Sequence, residues 1–229
     1  MKKSSSATPK FNEIETFVPQ TQNQQLAEQL WSEGHNLILS GSPGTGKTFM
    51  ALHFACRDLL SGDGYDKIVV IRSIVATRDP GHLPGDLQEK AGPFTSPYPG
   101  LIKQIFGYEE SYNKMIHTKK LTFETTSFIR GMTIDNAVII VDEMQNLNFH
   151  ELDSVITRVG TNSKIFFVGD YKQSDFTNNR ERDGILRFLG IVELMSSFRL
   201  VEFGWADIIR SGLVRDYIMT KEMTNMGDF

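Results

Sequence analysis

One run, NLILSGSPGTGKTFMALHF at residues 36–54, constrains this chain more than any other. A strand-length apolar block leads into glycines at 41, 44 and 46, and an amphipathic helical pattern follows. Gly41, Gly46, Lys47 and Thr48 satisfy the spacing GxxxxGK[ST]. Backbone N–H groups of such a loop turn inward around phosphate oxygens, and the helix N-terminus behind it favours negative charge. The expected nucleotide cradle is therefore Gly41, Ser42, Pro43, Gly44, Thr45, Gly46, Lys47 and Thr48. Lys47 would reach the β- and γ-phosphates, and the Thr48 hydroxyl would ligate Mg²⁺. A plain glycine-rich turn explains the glycines but not the Lys-Thr pair at this register.

The rest of the chain supplies a matching scaffold. Strand-length apolar blocks fall at 37–40, 68–72, 121–124, 138–141, 165–168 and 200–203. Runs such as IVVI, VIIV and IFFV are apolar on both faces, as strands buried between helix layers must be. Helical patterns fall at 23–33, 47–60, 101–105, 148–159, 184–189 and 213–221. This alternation predicts an α/β fold with a mostly parallel sheet and helices on both faces. Residues 1–12 read as a flexible tail, and 13–229 as a single domain. Five prolines within 74–99 mark a long irregular excursion, of a kind uncommon unless functional.

Composition excludes several classes. No apolar run approaches the roughly 18 residues of a membrane helix, and MKKSSSATPK leads into no apolar signal core. Cys56 is the single cysteine, so no internal disulfide forms and no zinc pattern assembles, which fits a reducing cytoplasm. Cys56 reads as a small core residue. A net charge of −4 argues against a uniformly basic nucleic-acid coat, though not against a local basic groove. The modestly basic run YNKMIHTKK, 112–120, reads as a solvated face.

Two further strand ends carry chemistry. AVIIVDEMQN ends a core strand with Asp142 and Glu143. Asp142 is placed to hold Mg²⁺ through its water shell, and Glu143 to deprotonate an attacking water. FFVGDYKQ ends another strand and sets Gln173 four residues beyond Gly169. In a parallel sheet all strand carboxyl ends meet at one edge. Gln173 would there stand near the γ-phosphate, where a neutral amide can donate to phosphate and accept from water. A metabolite kinase has no use for this pair. Arg72 and Arg130, beside strand-end loops, read as solvated charges or salt-bridge partners, with phosphate or nucleic-acid contact as the alternative.

The set GSPGTGKT, DEMQ and GDYKQ resembles the motor core of superfamily one helicases. Pro19 and Gln24 resemble that group's Q-motif, in which the glutamine amide pairs with adenine and so selects ATP. A surface glutamine in the run QTQNQQ is the other reading. More closely, SGSPGTGKT, HLPGDLQEK, FIRGMTI, VIIVDEMQN and VGDYKQSD resemble, in order and spacing, the PhoH-like ATPases of bacteria and phages. The likeness runs from about Thr16 to Tyr217. It implies one RecA-like P-loop NTPase domain, ATP hydrolysis with Mg²⁺ in the cytoplasm, a link to RNA, and ring oligomers such as hexamers. Relatives tend to show Arg-Pro where this chain has Arg72-Ser73, and Arg-His-Pro where it has Arg210-Ser211-Gly212.

Such ATPases commonly add an arginine finger. Arg210, in WADIIRSGLVRDY, is the first candidate, expected to act in trans on a neighbouring subunit, with Arg199 at a strand start and Arg215 within a helix as the alternatives. A full superfamily one motor uses two RecA-like lobes, and this chain has room for one. The function read from the sequence is ATP hydrolysis acting on RNA or single-stranded nucleic acid. The alternative is a nucleotide-state switch that controls a protein partner without strand movement.

Overall fold

The computed structural model describes residues 13–62, 64–73, 95–173 and 179–226. The expected tail, 1–12, and the segment 74–94 with its HLPGDLQEK run lie outside that description. Six strands form one sheet: β1 (Asn36–Gly41), β2 (Lys67–Arg72), β3 (Leu121–Thr125), β4 (Ala137–Asp142), β5 (Lys164–Gly169) and β6 (Phe198–Phe203). Every pairing is parallel, in the order β3-β2-β4-β5-β1-β6. Each strand-length block of the sequence became a strand, with ends shifted by at most two residues.

The apolar runs divide by parity, because successive strand side chains point to opposite faces. Leu37, Leu39, Val70, Val138, Ile140, Phe166 and Val168 join one core. Ile38, Val69, Ile71, Ile139, Val141, Ile165 and Phe167 join the other. The first core is closed by α1 (Gln22–Ser32), α2 (Lys47–Ser61), α3 (Tyr98–Phe106) and α4 (Ser111–His117). The second is closed by α5 (Phe149–Ile156) and α6 (Asn179–Glu193). Asn148 starts α5 with a capping box, its side chain accepting the Glu151 N–H while Glu151 accepts the Asn148 N–H. A last helix, α7 (Gly212–Met226), is mostly exposed.

One local expectation holds and one changes. Within 112–120, a short helix forms with Met115 buried, while Lys114, Ile116 and His117 stay exposed. Helix α3 begins at Tyr98, inside the proline-rich stretch, with Pro97 as its cap. Proline suits that first turn, where its missing N–H would have no helical partner.

Sheet order positions the site. β1 lies between β5 and β6, and the winding of the sheet reverses beside it, the place where open α/β sheets take ligands. β5 separates β1 from β4, so the loop after β1 and Asp142 start from strands about 10 Å apart, two strand spacings.

Candidate nucleotide and metal site

The loop after β1 turns on Gly44 and Gly46, with φ of 77° and 85°. Residues with a Cβ reach that region only with strain. The turn brings Lys47 to the head of α2, where its Nζ donates to Gly41 O at 2.6 Å, Ser42 O at 2.8 Å and Thr45 Oγ1 at 3.3 Å. Burial pushes its pKa down, against the pull of Asp170, Glu143, Asp142 and Glu222. Phosphate oxygens are stronger acceptors for this ammonium than the neutral carbonyls it holds.

Thr48, in the first turn of α2, donates to Asp142 Oδ1 at 3.0 Å. Mg²⁺ takes hard oxygen ligands, keeps several waters and needs only one or two protein groups. A hydroxyl and a carboxylate at this distance fit it. The cleft around them, about 380 Å³, is lined by the loop, Arg72, Asp142, Glu143, Gln145, Asp170 and Arg210.

Glu143 leaves β4 in a left-handed conformation, φ 55° and ψ 47°, uncommon for a residue with a side chain. The chain then makes a 3₁₀ turn, Met144–Asn146. Gln145 Nε2 donates to Glu143 Oε2 at 2.5 Å, and Gln145 Oε1 accepts the Asp170 N–H at 3.0 Å. A Cβ on Gly169 would stand 2.1 Å from that same Oε1, so the glycine makes room for the bridge. Asp170 is buried, which raises its pKa against the Lys172 N–H it accepts and the charge of Lys47.

Of the expected site residues with described side chains, Gln24 takes other partners than those foreseen. Gln173 closes a 3₁₀ turn, Tyr171–Gln173, directly after β5; its side chain lies outside the described residues. Gln24 is only 2 % exposed, which removes the surface-glutamine reading. Its Nε2 donates to Thr45 O at 3.0 Å and its Oε1 accepts the Gln20 N–H at 2.8 Å, so the amide props the phosphate loop. Arg210 was expected to project towards a neighbour. Within its own chain its stem stands over Gly44, where an added Cβ would meet Arg210 Cγ at 2.8 Å.

Arg72, read from the sequence as a solvated charge or salt-bridge partner with phosphate contact as the alternative, joins the site, as do three residues that were not singled out for it. Arg72 ends β2 with Nε 3.8 Å from Asp142 Oδ2 and Nη2 3.9 Å from Glu143 Oε1, inside the cleft rather than in bulk solvent. Gln145 is the bridge just described; its signal was the DEMQ run itself. Tyr98 donates to Asp142 Oδ2 at 2.6 Å. Glu222 of α7 accepts from Ser42 Oγ at 2.9 Å and from Trp205 Nε1 at 2.5 Å. No local pattern announces the last two. Arg130 sits exposed in the turn after β3. Cys56 is buried, and burial pushes its thiol pKa up, in keeping with a core residue.

No helix among the described residues is long and apolar enough to cross a membrane. The family model for the PhoH-like protein matches residues 16–222. A PhoH-like protein of Synechocystis sp. is 33% identical over 184 residues, 80% of this chain and 55% of that one. Protein PhoH of Escherichia coli (strain K12) is 31% identical over 179 residues, 77% of this chain and 50% of that one. Protein PhoH2 of Bacillus subtilis (strain 168) is 36% identical over 163 residues, 69% of this chain and 37% of that one. The chain thus spans about half the length, or less, of these relatives. Among solved structures, the large terminase from a thermophilic bacteriophage is similar with a TM-score of 0.51 at 11% identity, covering 87% of this chain and 50% of that one. At that identity the likeness concerns the fold, an α/β RecA-like P-loop NTPase domain. With the family match running through the phosphate loop and both other strand ends, the chain belongs to the PhoH family.

Proposed function

We propose that the chain hydrolyses ATP with Mg²⁺ in this cleft and couples the cycle to RNA or single-stranded nucleic acid as an oligomeric ring. One observation carries the hydrolytic reading. Asp142 is tied to Thr48, and Glu143, one residue on, is held at the cleft by Gln145. Thr48 and Asp142 would hold Mg²⁺, which when bound would supply positive charge to the phosphate oxygens. Lys47 exchanges its loop carbonyls for those oxygens. Glu143 accepts the proton of the attacking water, and Gln145 fixes where that carboxylate points. Gln173 orders the same water or the γ-phosphate through its amide, and Arg210 adds a second cation beside the loop. The nucleic-acid half is supported by the order of GSPGTGKT, DEMQ and GDYKQ, which resembles the superfamily one helicase core.

The test is ATP turnover alone and with single-stranded RNA, single-stranded DNA and duplexes. Lys47→Ala serves as the blank. Turnover should vanish in the folded Lys47→Ala chain and rise when a single strand is added. That rise should shrink between about 50 and 200 mM salt, as phosphate contacts release counterions. A folded wild-type chain without turnover overturns hydrolysis. Turnover indifferent to every nucleic acid overturns the coupling and leaves the nucleotide-state switch.

A further inference from the structure

Asp142 is gripped from two sides. Oδ1 accepts from Thr48 at 3.0 Å and Oδ2 from the Tyr98 phenol at 2.6 Å. Tyr98 is fully buried, and its ring packs edge-on against Phe123 of β3, with centroids 4.8 Å apart and planes at 67°. Pro97 and Pro99 flank it in the first turn of α3, where their fixed φ stiffens the backbone. Burial first, then the charge of Asp142 and the hydrogen bond to it, raises the phenol pKa well above the ordinary value. Tyr98 is the O–H donor of this pair. Among the described residues Arg72 Nε also lies near Oδ2, at 3.8 Å, longer than a hydrogen bond. The phenol is what sets the plane of this carboxylate.

We propose that Tyr98 is a positioning residue for the metal, orienting Asp142 so that Mg²⁺ affinity depends on the Tyr98 hydroxyl. The proposal rests on the Mg²⁺–ATP reading of the cleft. The physical reason is the rotation of the carboxylate. With Thr48 as its one donor, Asp142 can turn about Cβ–Cγ and present either oxygen to the cleft. With donors on both oxygens it presents one geometry, and partners of this kind are worth about 10–100-fold in metal affinity or activity. Because Tyr98 opens α3, the metal's seat is tied to that helix's first turn. The phenol donates to Asp142 and not to the phosphate loop. Metal binding and metal-free nucleotide binding should therefore separate.

The experiment uses Tyr98→Phe, which removes the hydroxyl and keeps the ring against Phe123. Mn²⁺ is titrated into protein with ADP and followed by electron paramagnetic resonance. Melting temperature and metal-free ADP affinity are measured alongside. The expected result is Mn²⁺ affinity weakened about 10–100-fold, with metal-free ADP affinity and melting temperature close to wild type. Wild-type Mn²⁺ affinity in the folded variant overturns the proposal. So does an equal loss of ADP affinity with and without metal, which would assign Tyr98 to folding of the cradle. A second measurement needs no variant. Amide exchange in the first turn of α3 should slow in the wild type when Mg²⁺ joins ADP, and exchange indifferent to the metal overturns the coupling. Failure of the Mg²⁺–ATP reading itself shows earlier, as a wild-type chain whose ADP binding brings no Mn²⁺ with it.

Discussion

Gln145 accepts the backbone N–H of Asp170 at 3.0 Å, joining the end of β4 to the end of β5. Its other amide atom donates to Glu143. The group proposed to take the proton from water is therefore aimed by a side chain anchored on the neighbouring strand. Any change that moves this amide moves the carboxylate.

Glu143→Gln should keep ATP bound and lower turnover by about 10²–10⁴, the range for losing a positioned general base. The amide is isosteric, so contacts to bound nucleotide survive. Single-turnover hydrolysis beside equilibrium ATP binding checks this. Turnover near wild type would place water activation elsewhere.

Gln145→Ala should leave ATP affinity within a few-fold and lower kcat by about 10²-fold, the scale of a small misplacement of a reacting group. Gly169→Ala should act in the same direction, since its Cβ would stand 2.1 Å from Gln145 Oε1 and displace it. Steady-state kinetics on both variants is the measurement. An unchanged kcat in Gln145→Ala would show that Glu143 needs no bridge.

Gln24→Ala should weaken ATP and GTP binding together. It leaves the buried Thr45 carbonyl without its donor, at a cost of about 1–3 kcal/mol. Competition binding with both nucleotides reads the outcome. A loss confined to ATP would mean that the amide gives up one of its protein bonds to read adenine.

Arg210→Ala should lower turnover, up to the roughly 10³–10⁵-fold associated with arginine fingers. Mixing decides whose site it serves. Arg210 stands over the Gly44 of its own chain, so subunits carrying Arg210→Ala should not be rescued by subunits carrying Lys47→Ala. Recovered turnover in the mixture would assign the finger to the neighbour.

Lys164 opens β5 at the sheet edge away from the cleft, with its amine donating to Trp31 O at 2.8 Å and 3.4 Å from the Trp31 ring centroid. Burial lowers its pKa to about 8 from 10.5, despite the charge of Asp58. A lysine whose folded pKa is depressed stabilises above the unfolded value and loses that contribution as pH falls through the folded one. Urea unfolding should thus show wild-type stability gaining on Lys164→Met as pH rises from about 8 to 10.5. A flat difference would mean that the amine is not desolvated.

Local pattern was enough for the strands, most helices and the phosphate loop. Apolar runs on both faces have one burial solution in an α/β fold, and GxxxxGK[ST] works within eight consecutive residues, so neighbours in sequence suffice. Asp142 and Glu143 were legible for the same reason, as the end of a core strand. What needed the folded chain was every contact between strand ends. No periodicity says that β5 lies between β1 and β4, and that order is what lets Gln145 reach Asp170. The packing of α3 on β3 brings Tyr98 to Asp142 across 44 positions, and the return of α7 sets Glu222 on Ser42 across 180. In the sequence Arg72 reads as a solvated or salt-bridged charge and Arg210 as a finger for a neighbour, and only the folded chain shows both lining one cleft. Local sequence selects each strand and turn; long-range packing selects which strand ends meet, and the chemistry of this site lies in those meetings.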